Sequence, residues 1–413
     1  MYFYRMKKRV ALLLIFLLSI NVFSQEKETP KTQLSNFLSK SYYSVNFGGI
    51  FYPFSNENLK PGFATETFSK NAFSGRIIFL GYKIRPNLAV QFGVIRPASW
   101  FKYNNVNNIG YERSVWINAW SLSLKKNFPF NDKLSIYAEA GPANVSRRGF
   151  LINDEVIYPD TRFLSLLYGF GLNYKLSEKW RLALNATFIP KSDKENQPSV
   201  SQFSLGFEYH LQKKSDKEAT ELAENPEYFF PKSILQISYG TSKIGYGVNK
   251  FLSMNTKVGD FESFGIPIFW LGELKTTHSF SITYQKLAYR SKKVFSLDWG
   301  VSATAFQTQQ SHKNIYAFSI FPVLRFYLLR RKNFDMYTNY SLIGPTYITK
   351  SDIDGLNTGP KITYQDTMGL GFFLGKERKY NFELRIMHYS NGNFFAKNAG
   401  VAIPIQFTFG KTF

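Results

Sequence analysis

The feature that most constrains this chain is a two-residue rhythm. Trp180, Leu182, Leu184, Ala186 and Phe188 alternate with Arg181, Ala183, Asn185 and Thr187. Phe203, Leu205, Phe207 and Tyr209 alternate with Ser204, Gly206 and Glu208, and Phe295, Leu297, Trp299 and Val301 with Ser296, Asp298, Gly300 and Ser302. Successive strand residues point to opposite faces, so each run is a strand with one apolar and one polar face. An amphipathic helix would repeat its apolar residues every three or four positions instead.

The rhythm predicts eight strands in the first half: Ser41–Pro53, Ala72–Ile84, Leu88–Pro97, Arg113–Asn127, Leu134–Ser146, Arg162–Tyr174, Trp180–Pro190 and Ser199–Leu211. Residues 212–232 break it. Lys213–Asn225 is charged and poor in strand formers, with a helix-capable run at Lys217–Glu224, and reads as a linker. Nine further runs follow: Ile234–Tyr246, Ile266–Leu274, Phe280–Tyr289, Val294–Phe306, Tyr316–Leu329, Phe334–Thr349, Tyr364–Leu374, Phe382–Ser390 and Val401–Phe413. An even closed sheet takes eight, and Ile266–Leu274 is the weakest of the nine. The expected fold is all-β: two antiparallel eight-stranded transmembrane barrels in tandem, at 41–211 and 233–413.

Short turns (Pro86-Asn87, Asn131-Asp132, Ser177-Glu178) alternate with longer polar loops, and Trp100, Trp116 and Trp120 lie near strand ends. That is the pattern of an outer-membrane barrel, because lipid offers the backbone no partner and a spanning sheet must close. A soluble sandwich or lipocalin-like barrel would share the alternation. Residues 1–24 favour export: a basic start (Arg5, Lys7, Lys8, Arg9), an apolar core from Val10 to Leu18 and a small residue at Ser24 read as a signal peptide. Aromatics make up 18% of the chain while mean hydropathy is only −0.23, which suits alternating strands better than membrane helices. The formal charge of +22 carries no interleaved nucleic-acid motif, so an anionic membrane surface is the simpler partner. With no cysteine, thiolate metal sites and cysteine nucleophiles are excluded, and His210, His278 and His312 lack metal-ligand spacing. No cofactor is expected. Asp298 and Glu383 fall on polar faces and read as lumen salt-bridge partners.

The chemistry concentrates in Phe382–Phe413. Phe382, Leu384 and Ile386 define an apolar face, and His388 and Ser390 continue it. In the last run, strict alternation puts Val401, Ile403, Ile405, Phe407 and Phe409 on one face, with Ala402, Gln406 and Thr408 on the other. With both termini of the barrel in the periplasm, His388 and Ser390 lie near the outer leaflet and face lipid. A polar pair there is costly unless it is partnered or functional. Histidine beside serine is the core of an acyl-transfer site: the imidazole takes the hydroxyl proton and the oxygen attacks an ester. Asn391 and the glycine-bearing loop after it are candidate oxyanion donors.

His388-Tyr389-Ser390-Asn391-Gly392, then Asn398-Ala399-Gly400-Val401, then Ile403-Pro404, resembles the C-terminal signature of the PagL-type lipid A deacylases, the acyloxyacyl hydrolase family. Tyr316–Lys350, with Phe321-Pro322-Val323-Leu324-Arg325-Phe326, is similar to the forms common in Bacteroidetes. The resemblance covers residues 233–413; residues 25–211 resemble only outer-membrane barrels in general. It implies an eight-stranded barrel that removes an ester-linked acyl chain from lipid A, with a membrane-facing site. Carried over, Ser390 is the nucleophile, His388 the base, and Asn391 lies near the oxyanion. In the best-studied form a glutamate near the start of the last strand orients the histidine. Ala402 stands there in this chain, no Asp or Glu follows Glu383, and Asn398 is the amide expected to orient His388 instead. The expected function is an outer-membrane serine ester hydrolase acting on lipid A or another outer-leaflet lipid. A barrel that keeps the fold without the chemistry, and a phospholipase, are the alternatives.

Overall fold

The computed structural model describes residues 31–413 except 70–72, 98–100, 111, 225–226, 247–255, 259–260, 264–271 and 396, and the side chains of residues 256–258, 261–263 and 342. The expected signal peptide at 1–24, Trp100 and most of the run Ile266–Leu274 lie outside the described residues.

The first sheet is built from β1 (Ser41–Phe51), β2 (Phe73–Arg85), β3 (Leu88–Pro97), β4 (Arg113–Pro129), β5 (Leu134–Arg148), β6 (Thr161–Lys175), β7 (Trp180–Ile189) and β8 (Val200–His210). Each strand pairs antiparallel with its chain neighbour, and β1 pairs with β8 (Val45 opposite Phe207), which closes an eight-stranded barrel. A helix, α1 (Asp216–Glu224), follows. The second barrel comprises β9 (Ser233–Thr241), β10 (Leu274–Arg290), β11 (Phe295–Thr308), β12 (Asn314–Arg331), β13 (Phe334–Ile348), β14 (Ile362–Leu374), β15 (Tyr380–Ser390) and β16 (Val401–Thr412), and closes through β9 and β16 (Ile237 opposite Phe409).

Alternation decides which side chains meet which medium. Leu164, Phe170 and Phe203 on the first barrel are 75%, 68% and 66% exposed, and Phe318 and Phe407 on the second are each 52% exposed. A soluble barrel does not present such a continuous apolar belt, so the belt selects the membrane form. No helix among the described residues is long and apolar enough to cross a membrane; the crossing is made by strands.

The polar faces fill the lumens. In the first, Arg76 pairs with Glu139 at 2.6 Å, Gln91 donates to the same carboxylate at 2.7 Å, and Lys125 pairs with Glu208. In the second, Arg325 pairs with Asp298 and donates to Gln285 at 2.7 Å, while Glu383 accepts from Tyr337 and lies 3.9 Å from Arg385. Asp298 and Glu383 are thus lumen partners of arginines. Each ion pair is hydrogen-bonded on several sides, as a buried charge requires.

One end of the second barrel has tight connections (291–294, 332–333 and 375–379) and also holds the start of β9 and the end of β16, where Ser233 and Phe413 exchange backbone hydrogen bonds. The other end carries the long connections 349–361 and 391–400. In outer-membrane barrels the short turns are periplasmic and the long loops extracellular. At the periplasmic end α1 touches both the chain start and the second barrel: Thr32 Oγ1 donates to the Ala219 carbonyl, and Arg290 Nη2 to that of Leu222 at 2.7 Å.

Two bulges matter for the site. In β16 the register slips between the pairs Arg385–Gln406 and Met387–Ile403. Pro404, which has no N–H to give a ladder, sits inside the slip. This corrects the strict alternation expected for the last strand. Phe407 and Phe409 face outward, but Val401 and Ile403 are buried in an apolar lumen cluster with Met387 and Tyr389, and Ala402 turns outward. In β13 a second slip separates Ser341 from Gly344, and Ile343 within it has φ 56°. A β-branched residue in that region is strained.

Candidate active site

His388 and Ser390 end β15 on the same outward face as Phe382, Leu384 and Ile386, as the alternation predicts. They stand at the long-loop end, so they sit at the outer-leaflet edge. Unlike the belt below them they are buried, at 7% and 9% exposure. Gly400 packs against the imidazole: a Cβ there would lie 2.6 Å from His388 Nε2, so a side chain at this position would displace the ring.

The two ladders flanking β15 define what else reaches the histidine. On one side His388 is directly opposite Ala402 of β16, so the position where the resemblance expects a carboxylate carries a methyl group. On the other side His388 is directly opposite Asp366 of β14. Opposed residues on one face of an antiparallel pair hold their Cβ atoms about 4.5–5.5 Å apart. The strained amide of Ile343, re-aimed by the β13 bulge, donates to Asp366 Oδ1 at 2.9 Å. That bond fixes the Asp366 side chain on the rung opposite His388. Sequence reasoning missed Asp366, although its parity with Leu370, Phe372 and Leu374 marks it as a charge on an apolar face.

Asn391 and Asn398 form the loop rather than reach toward the imidazole. Asn391 is fully buried; its Nδ2 donates to the carbonyls of Thr358 at 3.0 Å and Lys397 at 2.8 Å. Asn398 Oδ1 accepts from Asn391 N at 2.8 Å, and its Nδ2 donates to Asn393 Oδ1 at 3.1 Å. Both side-chain amides are thus engaged within the loop. Between them lies a tight turn, Asn391–Phe394. Phe394 N donates to the Asn391 carbonyl at 2.9 Å, and both central residues, Gly392 and Asn393, have positive φ (58° and 57°). That is a turn of the I′ kind. Among the described residues no group of three or more His, Asp or Glu is placed to hold a metal ion.

Closed, lumen-filled barrels with an apolar belt define the class: this is an outer-membrane β-barrel protein with a histidine and a serine buried on the outward face of one strand. Residues 273–404 match the family model described as lipid A 3-O-deacylase (PagL), and residues 10–210 match the model of the outer membrane protein β-barrel domain. No curated protein matches the chain. Among solved structures, the outer membrane enzyme PagL is similar at 12% identity, with 44% of this chain and 99% of that one covered and a TM-score of 0.30. Neisserial surface protein A is similar at 16% identity (41% and 97% covered, TM-score 0.28). The attachment invasion locus protein Ail of Yersinia pestis is similar at 15% identity (41% and 96% covered, TM-score 0.29).

Proposed function

We propose that the protein is an outer-leaflet ester hydrolase that removes an acyl chain from lipid A. The observation that supports this most is the placement of His388 and Ser390: adjacent, outward-facing and buried at the extracellular end of β15, within the stretch that matches the lipid A 3-O-deacylase model.

His388 takes the proton of the Ser390 hydroxyl as its oxygen attacks the ester carbonyl. The tetrahedral intermediate collapses, the ester C–O bond breaks, and His388 returns the proton to the departing sugar oxygen, which leaves as a hydroxyl. Water then attacks the acyl-serine with His388 again as base, and a free fatty acid departs. Asp366 orients the imidazole and stabilises its charged form, the part that Ala402 cannot play. The outward-facing position at the edge of the apolar belt would let the acyl chain stay in the bilayer while its ester reaches the serine.

The test is mass spectrometry of lipid A from outer membranes that contain the wild-type protein or Ser390→Ala. Loss of one ester-linked acyl chain with wild type alone is expected. Identical lipid A in both, with folded and abundant protein, refutes lipid A deacylation; release of fatty acid from phospholipid instead would reassign the substrate.

A further inference from the structure

The first barrel does not stand apart from this site. The outward rungs of β4 and β5 near their extracellular ends carry Asn118, Trp120, Asn144 and Ser146 in place of the belt's leucines and phenylalanines, and Asn118 and Ser146 are buried. Such a polar patch is unfavourable against lipid. Here it meets the turn that follows Ser390. Trp120 Nε1 donates to the Gly392 carbonyl at 2.9 Å, and Asn144 Nδ2 donates to the Phe394 carbonyl at 2.9 Å. Trp120 and Asn144 are opposite each other in the β4–β5 ladder, so one rung supplies both donors.

Each donor is itself fixed. Trp120 stacks on Phe79 and Phe92, with ring centroids 5.7 and 5.4 Å away, and meets Phe394 edge-on at 6.2 Å. Arg162 Nε donates to Asn144 Oδ1 at 2.9 Å, which turns the amide hydrogens toward Phe394. The Arg162 guanidinium also lies 5.6 Å from the centre of the Phe395 ring. Gly392 meets Trp120 so closely that an added Cβ would lie 3.1 Å from its ring, in a conformation that already favours glycine.

The Gly392 carbonyl belongs to the central peptide of the turn. Type I′ and II′ turns differ in the direction of that peptide, so whatever holds its carbonyl selects the turn type. In a trans peptide the carbonyl and the following N–H point opposite ways. With the Gly392 oxygen held by Trp120, the Asn393 N–H points away from the first barrel, three residues after Ser390.

We propose that the first barrel is a positioning partner of the hydrolytic site: Trp120 and Asn144 lock the turn after Ser390 so that its central N–H serves as an oxyanion donor. This rests on the hydrolytic reading given above. It assigns to the first barrel a role in catalysis without contact with the reacting atoms.

The test uses the full chain in two measurements. Trp120→Phe keeps the ring and removes the N–H. It is expected to lower kcat by roughly 10- to 100-fold, somewhat less than loss of an oxyanion donor outright, with KM within about twofold of wild type. Asn144→Ala should act the same way and combine less than additively with Trp120→Phe, since both hold one turn. Retained heat-modifiable gel mobility establishes that the barrels remain closed. Wild-type kcat in Trp120→Phe overturns the proposal. Independently, the chain has no native cysteine, so Asn144→Cys with Phe394→Cys can be joined by a short bismaleimide in intact membranes. Crosslinking is expected; its absence also overturns the proposal. Crosslinking in a protein whose wild type cleaves no ester refutes the hydrolytic reading and the catalytic role with it, and leaves the contact between barrels as structure alone.

Discussion

At the residue scale the proposed site turns on which residue opposite His388 carries a carboxyl group. The parity of His388 and Ser390 with Phe382, Leu384 and Ile386 was legible, because alternation within one strand needs no knowledge of its partners. The pairing of His388 with Asp366 was not, because register between strands depends on turns and bulges that the sequence does not display. Nor was the use of Asn391 and Asn398 as braces of the loop, since a side-chain amide can bond in any direction. If Asp366 orients the imidazole, Asp366→Asn lowers kcat on the order of 10²- to 10⁴-fold, while Asp366→Glu retains much of it. Adding Ala402→Glu to Asp366→Asn should restore part of the rate from the opposite rung. An Asp366→Asn enzyme with the wild-type rate would remove Asp366 from the mechanism.

At the element scale, the strands of both barrels were legible, with seventeen runs expected where the two barrels use sixteen strands, because a two-residue apolar period over ten or more residues has few competing explanations. The expected run at Tyr246 ends earlier, at Thr241. The bulge at Pro404 was the larger omission: it reverses the facing of Val401, Ala402 and Ile403, and so decides what touches His388. Its sequence signal was the proline itself, which cannot continue a central ladder. Phe407, near the middle of β16, belongs to the outward face that meets lipid. Phe407→Arg is therefore expected to destabilise the barrel by about 2–4 kcal/mol, read from denaturant unfolding in lipid vesicles. A change within roughly 0.5 kcal/mol would contradict that placement.

At the scale of the whole molecule, both lumens are occupied by hydrogen-bonded polar side chains, as eight strands leave room for little else. The purified protein should therefore give no steady ionic current in a planar bilayer; sustained open levels would mean that the Arg76–Glu139 or Arg325–Asp298 network parts to admit water. The turn after Ser390 touches Trp120 and Asn144, which lie about 270 and 250 residues away along the chain. No stretch of nascent chain can form that contact by itself. The turn takes this shape only after both barrels have closed and come together, so the hydrolysis proposed above would wait for the last step of biogenesis. On that reading a half-inserted chain, or a barrel torn from its companion, would be a silent one, and the envelope would be shielded from a hydrolase that has not finished being made.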